Sequence, residues 1–186
     1  MSAVVEIDSN DSVFSHCADV HPPFEFRIPD WFPGCEEARK AGLLTEPPLR
    51  TSAQAVQLLK ACFFGDHPLV YELTNPRLTG KNAIRLGARV RSSDEALEHA
   101  WESALPDAVL LAVSQKFVSG PPKLTTRLLA THSCALVEAP TGCAGSKPPQ
   151  VAPTDKNTLG EALMRVRDER RNARLFLSAH PIDDID

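Results

Sequence analysis

Apolar residues recur at helical spacing in several separated stretches of the chain. Within 51–65, Ala55, Leu58, Leu59 and Cys62 stand at i, i+3, i+4 and i+7, which places them on one stripe of a helix. Thr51 and Gln54 have the spacing of a capping box, in which Thr51 accepts from the amide three residues on and Gln54 reaches back. Gly65 ends this helix. A second helical segment is predicted over 67–74, up to Asn75-Pro76, and a third over 81–91 with Ala83, Leu86 and Val90 on one side. Ser92 and Glu95 form another capping box and open a long helix through 117, along which Trp101, Leu105, Ala108 and Ala112 follow the helical period. Pro106 falls inside it and predicts a kink or a division into two helices. Beyond Gly120-Pro121-Pro122 a short helix is predicted over 124–131. Thr158 and Glu161 make a third capping box, and Leu159, Ala162, Leu163 and Val166 mark the buried face of a last long helix.

Period-two patterning is scarce. Phe24-Glu25-Phe26-Arg27-Ile28 alternates as a short strand would, and Ala135–Ala139 reads as another. Pro22, Pro23, Pro29, Pro33, Pro47 and Pro48 forbid a long helix before residue 51. Residues 140–155 (PTGCAGSKPPQVAPTD) offer almost nothing to bury and read as a loop. Residues 1–11 are polar and acidic and are expected to be frayed, and 178–186 read as an acidic tail. The expected architecture is mainly α with a minor β component, as a single compact domain over 12–177. Nothing resembles alternating βαβ units, and no Gly-rich loop follows a strand, so neither a Rossmann nor a P-loop site is supported.

Composition narrows the function classes. A length of 186 residues suits one domain with its own core. The net charge of −4 argues against general nucleic-acid binding, although a local basic pocket for a phosphorylated small molecule stays open. The five cysteines form no C-x-x-C pair and are read as reduced. The N-terminal stretch has no basic region followed by an apolar run, and no apolar run reaches the length of a membrane span. The expected location is therefore the cytoplasm, with no membrane association. No cofactor is expected, and the oligomeric state is not legible.

Side-chain chemistry, taken alone, names no activity. His132 and Cys134 are two residues apart, a spacing at which side chains seldom meet, so a structural thiol is the plainer reading. His16, Cys17 and His21 have no partner cluster with zinc spacing. Trp101 fits a core position by its period, with stacking on a flat ligand as the other reading. Lys60 lies opposite the apolar stripe of its helix and reads as solvated, and Gln54 has its capping role. Glu138, at the end of an apolar run, either faces solvent or lines a pocket. The arginines at 165, 167, 170 and 171 complement a helix dipole and read as a solvated face.

A set of pieces in fixed order adds more. Phe14-Ser15, TSAQAVQLLKACFFGD at 51–66, RLGARV at 85–90, Trp101, KFVSGPPKLTTRLLATHSCALVEA at 116–139 and KNTLGEALMRVRD at 156–168 together resemble the NADAR family, over most of 13–170. The resemblance implies a mainly helical fold and an N-glycosidase, which cleaves a bond between ribose and nitrogen. It implies as substrate an ADP-ribosylated guanine or a ribosylaminopyrimidine phosphate, and so a small-molecule nucleotide partner. Such cleavage passes through an oxocarbenium-like state and needs a carboxylate, donors for ribose and phosphate oxygens, and a flat surface for the base.

Transferred position by position, the resemblance gives Glu138 as the carboxylate and Lys60 as the contact to a phosphate or ribose oxygen. Trp101 becomes the stacking surface, Gln54 and Asn157 bond ligand or hold loops, Phe14 and Ser15 line the mouth, and Lys116 completes the set. Two departures stand out. The family's first helix carries an acid where this chain has Ala53, and the acid and tryptophan expected beyond Glu138 are absent from PTGCAGSKPP. Three outcomes follow. Another acid substitutes (Glu138, Asp155 or Asp66), or the domain binds an ADP-ribose-like nucleotide or a protein without cleaving, or the chemistry is rewired.

Overall fold

The computed structural model describes residues 3–7, 14–40, 47–138 and 157–179. The loop read at 140–155 and the tail from 180 lie outside the described residues. In chain order the elements are β1 (Val4–Ile7), β2 (Phe24–Glu25), α1 (Cys35–Lys40), β3 (Pro48–Leu49), α2 (Ser52–Phe63) and α3 (His67–Leu73). They continue with α4 (Gly80–Gly87), α5 (Glu95–Ser119), α6 (Pro122–Leu129), β4 (Ala135–Glu138) and α7 (Thr158–Ala179). The fold is mainly helical with a minor β part, as the period predicts. No helix among the described residues is long and apolar enough to cross a membrane.

The centre is α2. Ser52–Val56, Leu58, Leu59, Ala61 and Cys62 are all buried, so the helix is enclosed on more than the single predicted stripe. It packs against α1, α3, α4 and α5. Leu58 and Leu59 are both 0% exposed, and burying each contributes about 2 kcal/mol. Small residues let neighbours come close. Gly34 has φ +80, and a Cβ there would stand 1.8 Å from the Cys62 carbonyl oxygen, so no other residue type fits against this turn of α2.

The helix starts differ from the predicted boxes in instructive ways. Thr51 does accept from the Gln54 N–H at 3.0 Å. Gln54 reaches past Thr51, and its Oε1 accepts from the Arg50 N–H at 3.2 Å. The cap of α5 is Asp94 and not Ser92, its carboxylate accepting from the Ala96 N–H at 2.9 Å. Ser92 Oγ instead accepts from the Asp94 N–H at 3.0 Å. Pro106 does not divide α5, which runs unbroken from Glu95 to Ser119. The proline is on the exposed side of the helix, while Trp101, Ala108, Val109, Ala112 and Val113 anchor the other side in the core. At the last helix, the Asn157 carbonyl accepts from the Glu161 N–H at 2.9 Å, which places the start one residue before the predicted Thr158 cap.

The largest correction concerns the N-terminus. Residues 4–7, expected to be frayed, form β1 and pair in parallel with β4, from Val4 opposite Ala135 to Ile7 opposite Glu138. The Phe24–Ile28 alternation yields only a two-residue strand, antiparallel to β3. Arg167 also departs from its solvated reading. It is 4% exposed and donates to the Cys134 carbonyl at 2.7 Å and to Thr131 Oγ1 at 3.2 Å. With Arg171, which donates to the His132 carbonyl at 2.8 Å, it ties α7 to the turn before β4.

Candidate functional site

The antiparallel packing of α2 on α5 sorts the candidate residues into two corners. Lys116 and Trp101 lie on the same helix about 22 Å apart along its axis. One corner joins the start of α2 to the end of α5. The other joins the end of α2 to the start of α5.

In the first corner Lys116 is 1% exposed and donates to the carbonyls of Ser15 at 3.1 Å and Ala18 at 3.2 Å. Burial lowers its pKa to about 8, against smaller opposing effects of Cys17 and Asp19. Ser15 is 3% exposed, and its Oγ accepts from the Cys17 N–H at 3.2 Å. Phe14 stacks on Phe117 with ring centres 6.3 Å apart. His16 Nδ1 stands 3.2 Å from Ser52 Oγ. The pKa of His16 is lowered to about 4 by burial first and by the charge of Lys116 second. Ala53, at the position of the expected acid, is 3% exposed, and its N–H donates to the His16 carbonyl at 3.0 Å. Gln54 is 0% exposed, and its amide nitrogen donates to the carbonyls of Leu73 at 2.8 Å and Asn75 at 2.9 Å. With the Arg50 bond, both its donors and its acceptor are engaged within the scaffold. A ligand would have to displace one of them. Phe14, Ser15, Gln54 and Lys116 are thus all buried at this corner.

The second corner carries more available chemistry. Phe63 and Phe64, at the end of α2, pack on Trp101 with ring centres at 5.5 and 6.3 Å. Trp101 is 6% exposed, so most of its indole is a wall and little of it is open to a ligand. Lys60, one turn before Phe64, places Nζ 5.8 Å from the Phe64 ring centre and donates to the Gly87 carbonyl at 3.4 Å. A Cβ on Gly87 would lie 1.7 Å from Gln57 Oε1, so glycine lets this acceptor approach α2. Lys60 is half-buried, and that burial lowers its pKa; Glu98 opposes the shift and Arg91 adds to it. Lys60 and Trp101 therefore both stand beside Phe64. Phe63, Phe64, Arg91 and Glu98 join them without having been singled out.

The remaining candidates fall elsewhere. Asn157 Nδ2 donates to the Leu136 carbonyl at 2.6 Å and so fastens β4 to the start of α7. The backbone of Glu138 closes β4 opposite Ile7, while its side chain lies outside the described residues. Asp155 also lies outside them. Asp66, the third alternative acid, caps α3 by accepting from the Leu69 N–H at 3.1 Å. Among the described residues no group of acids, histidines and cysteines could hold a metal ion. A separate open groove of about 430 Å³ lies between α5, α6 and α7, lined by Phe117, Thr125, Thr126, Leu129, Arg170 and Arg174. None of the residues chosen from sequence lines it.

Compared with known proteins, residues 34–171 match the model of the NADAR domain. No curated protein matches the chain significantly.

Proposed function

Because the chain belongs to the NADAR domain family, we propose that it is an N-glycoside hydrolase that cleaves a ribose–nitrogen bond in the cytoplasm. Its substrate would be an ADP-ribosylated guanine or a ribosylaminopyrimidine phosphate. One observation carries the reading: Lys60, half-buried and without an ion pair among the described residues, stands beside the Phe63–Phe64–Trp101 cluster. A desolvated ammonium with one protein acceptor has donors left for a phosphate or ribose oxygen. The aromatic cluster excludes water beside it, which strengthens that interaction.

A second reading is favoured by Ala53, which is packed against the His16 carbonyl where an acid is expected. On that reading the domain holds an ADP-ribose-like nucleotide, or a protein partner, without cleaving it. Incubating the purified chain with ADP-ribosylated guanosine and with ribosylaminopyrimidine phosphate separates the two. Release of the free base or aminopyrimidine supports the hydrolase. Tight nucleotide binding in calorimetry with no product on either substrate supports the silent module.

A further inference from the structure

N-glycoside cleavage needs a carboxylate, and the expected position holds Ala53. We propose that Glu98, at the start of α5, supplies that carboxylate at the Lys60–Trp101 corner. This rests on the hydrolase reading above.

The geometry supports the assignment at several points. Glu98 Oε1 accepts from the Ser92 N–H at 2.7 Å, which fixes the carboxylate's orientation and leaves its second oxygen available. Trp101 follows three residues later on the same helix, so the carboxylate and the indole share a face. Glu98 is partly buried, and it is the acid whose charge acts on Lys60. The two do not close into an ion pair, since Lys60 donates to Gly87 instead. Ammonium and carboxylate are thus both present at one corner without neutralising each other. Of the neighbouring acids, Asp94 caps α5, Asp66 caps α3, and Glu95 and Glu102 are exposed.

In the reaction the C1–N bond of the ribose breaks with its electron pair going to nitrogen, which takes a proton from solvent. The carboxylate steadies the positive charge that develops on the ring oxygen and C1. Water then forms the C1–O bond, and its proton passes to Glu98 and on to solvent. Lys60 holds an oxygen of the substrate throughout.

A purely structural Glu98, serving only to accept from Ser92, would do as well with an amide oxygen. Glu98→Gln keeps that acceptor and removes the charge. On whichever of the two substrates the wild-type chain turns over, Glu98→Gln is expected to lower kcat about a hundredfold, with KM and melting temperature nearly unchanged. Turnover within about threefold of wild type overturns the role of Glu98 and leaves the hydrolase standing. No turnover by the folded wild-type chain overturns the hydrolase itself, and this role with it.

Discussion

The two corners of the α2–α5 pair are built from similar materials and reach opposite conditions. Each contains a lysine whose pKa is lowered by burial, aromatic rings and a helix terminus. At the Lys116 corner, the ammonium is fixed to the carbonyls of Ser15 and Ala18, Gln54 is fully bonded, and Ala53 fills the place of an acid. At the Lys60 corner the ammonium has a single acceptor, and Glu98 and Arg91 stand near it. Complete satisfaction makes a polar group a structural part; incomplete satisfaction leaves it able to bind something else.

This contrast is sharpest under substitution. Gln54→Leu removes three hydrogen bonds and strands the buried Leu73 carbonyl together with the Asn75 carbonyl and Arg50 amide, whose bonds are partly buried. It should cost about 3 kcal/mol or more in urea denaturation, and a loss below 1 kcal/mol would show that this corner is less closed than its bonding implies. Lys60→Met should behave in the reverse sense. It relieves the burial of a charge and gives up one long bond to Gly87, so stability should stay within about 1 kcal/mol while turnover falls about a hundredfold. Unfolding curves and steady-state rates on the same sample would check both halves.

The smallest expected effect is in pH dependence, and it belongs to the closed corner. His16 and Lys116 both have folded pKa values below their ordinary ones, at about 4 and about 8. In each case the unfolded chain takes up its proton first as pH falls, so stability rises with pH across both windows. The His16 part grows between about 4 and the ordinary imidazole value of about 6.5, and the Lys116 part between about 8 and the ordinary amine value of about 10.4. Lys116→Met should flatten the upper window of a denaturation series and narrow the lower one, because the charge of Lys116 is part of what lowers the His16 pKa. A slope that survives in Lys116→Met must come from another group.

Much of the scaffold was legible because it is written locally. The Ala55–Cys62 stripe, the 67–74 segment and the Leu159–Val166 face each lie within a few turns of one helix, and all appear as helix in the fold. What was not legible depends on distant partners. β1 is a strand because β4 is there to pair with it, and nothing in VVEI amid acidic neighbours announces that. In the run Ser92-Ser93-Asp94, several side chains can cap, and the choice of Asp94 rests on how the preceding turn meets Glu98. The site divides in the same way. Lys60 and Trp101 were chosen through family resemblance, whereas Glu98 has no motif of its own and becomes a candidate only once α5 is laid against α2.

The parallel pairing of Val4–Ile7 with Ala135–Glu138 has a consequence for synthesis. β1 leaves the ribosome well before β4 and is without its partner until the helices between them have been made. The helices around α2 can assemble from nearby contacts in the meantime, whereas the β1–β4 ladder must wait for a closure of high sequence separation. A nascent chain arrested before residue 135 would thus present a compact helical body with β1 as an unmatched edge. Proteolysis of such arrested chains should clip that leading segment long before it cuts α2.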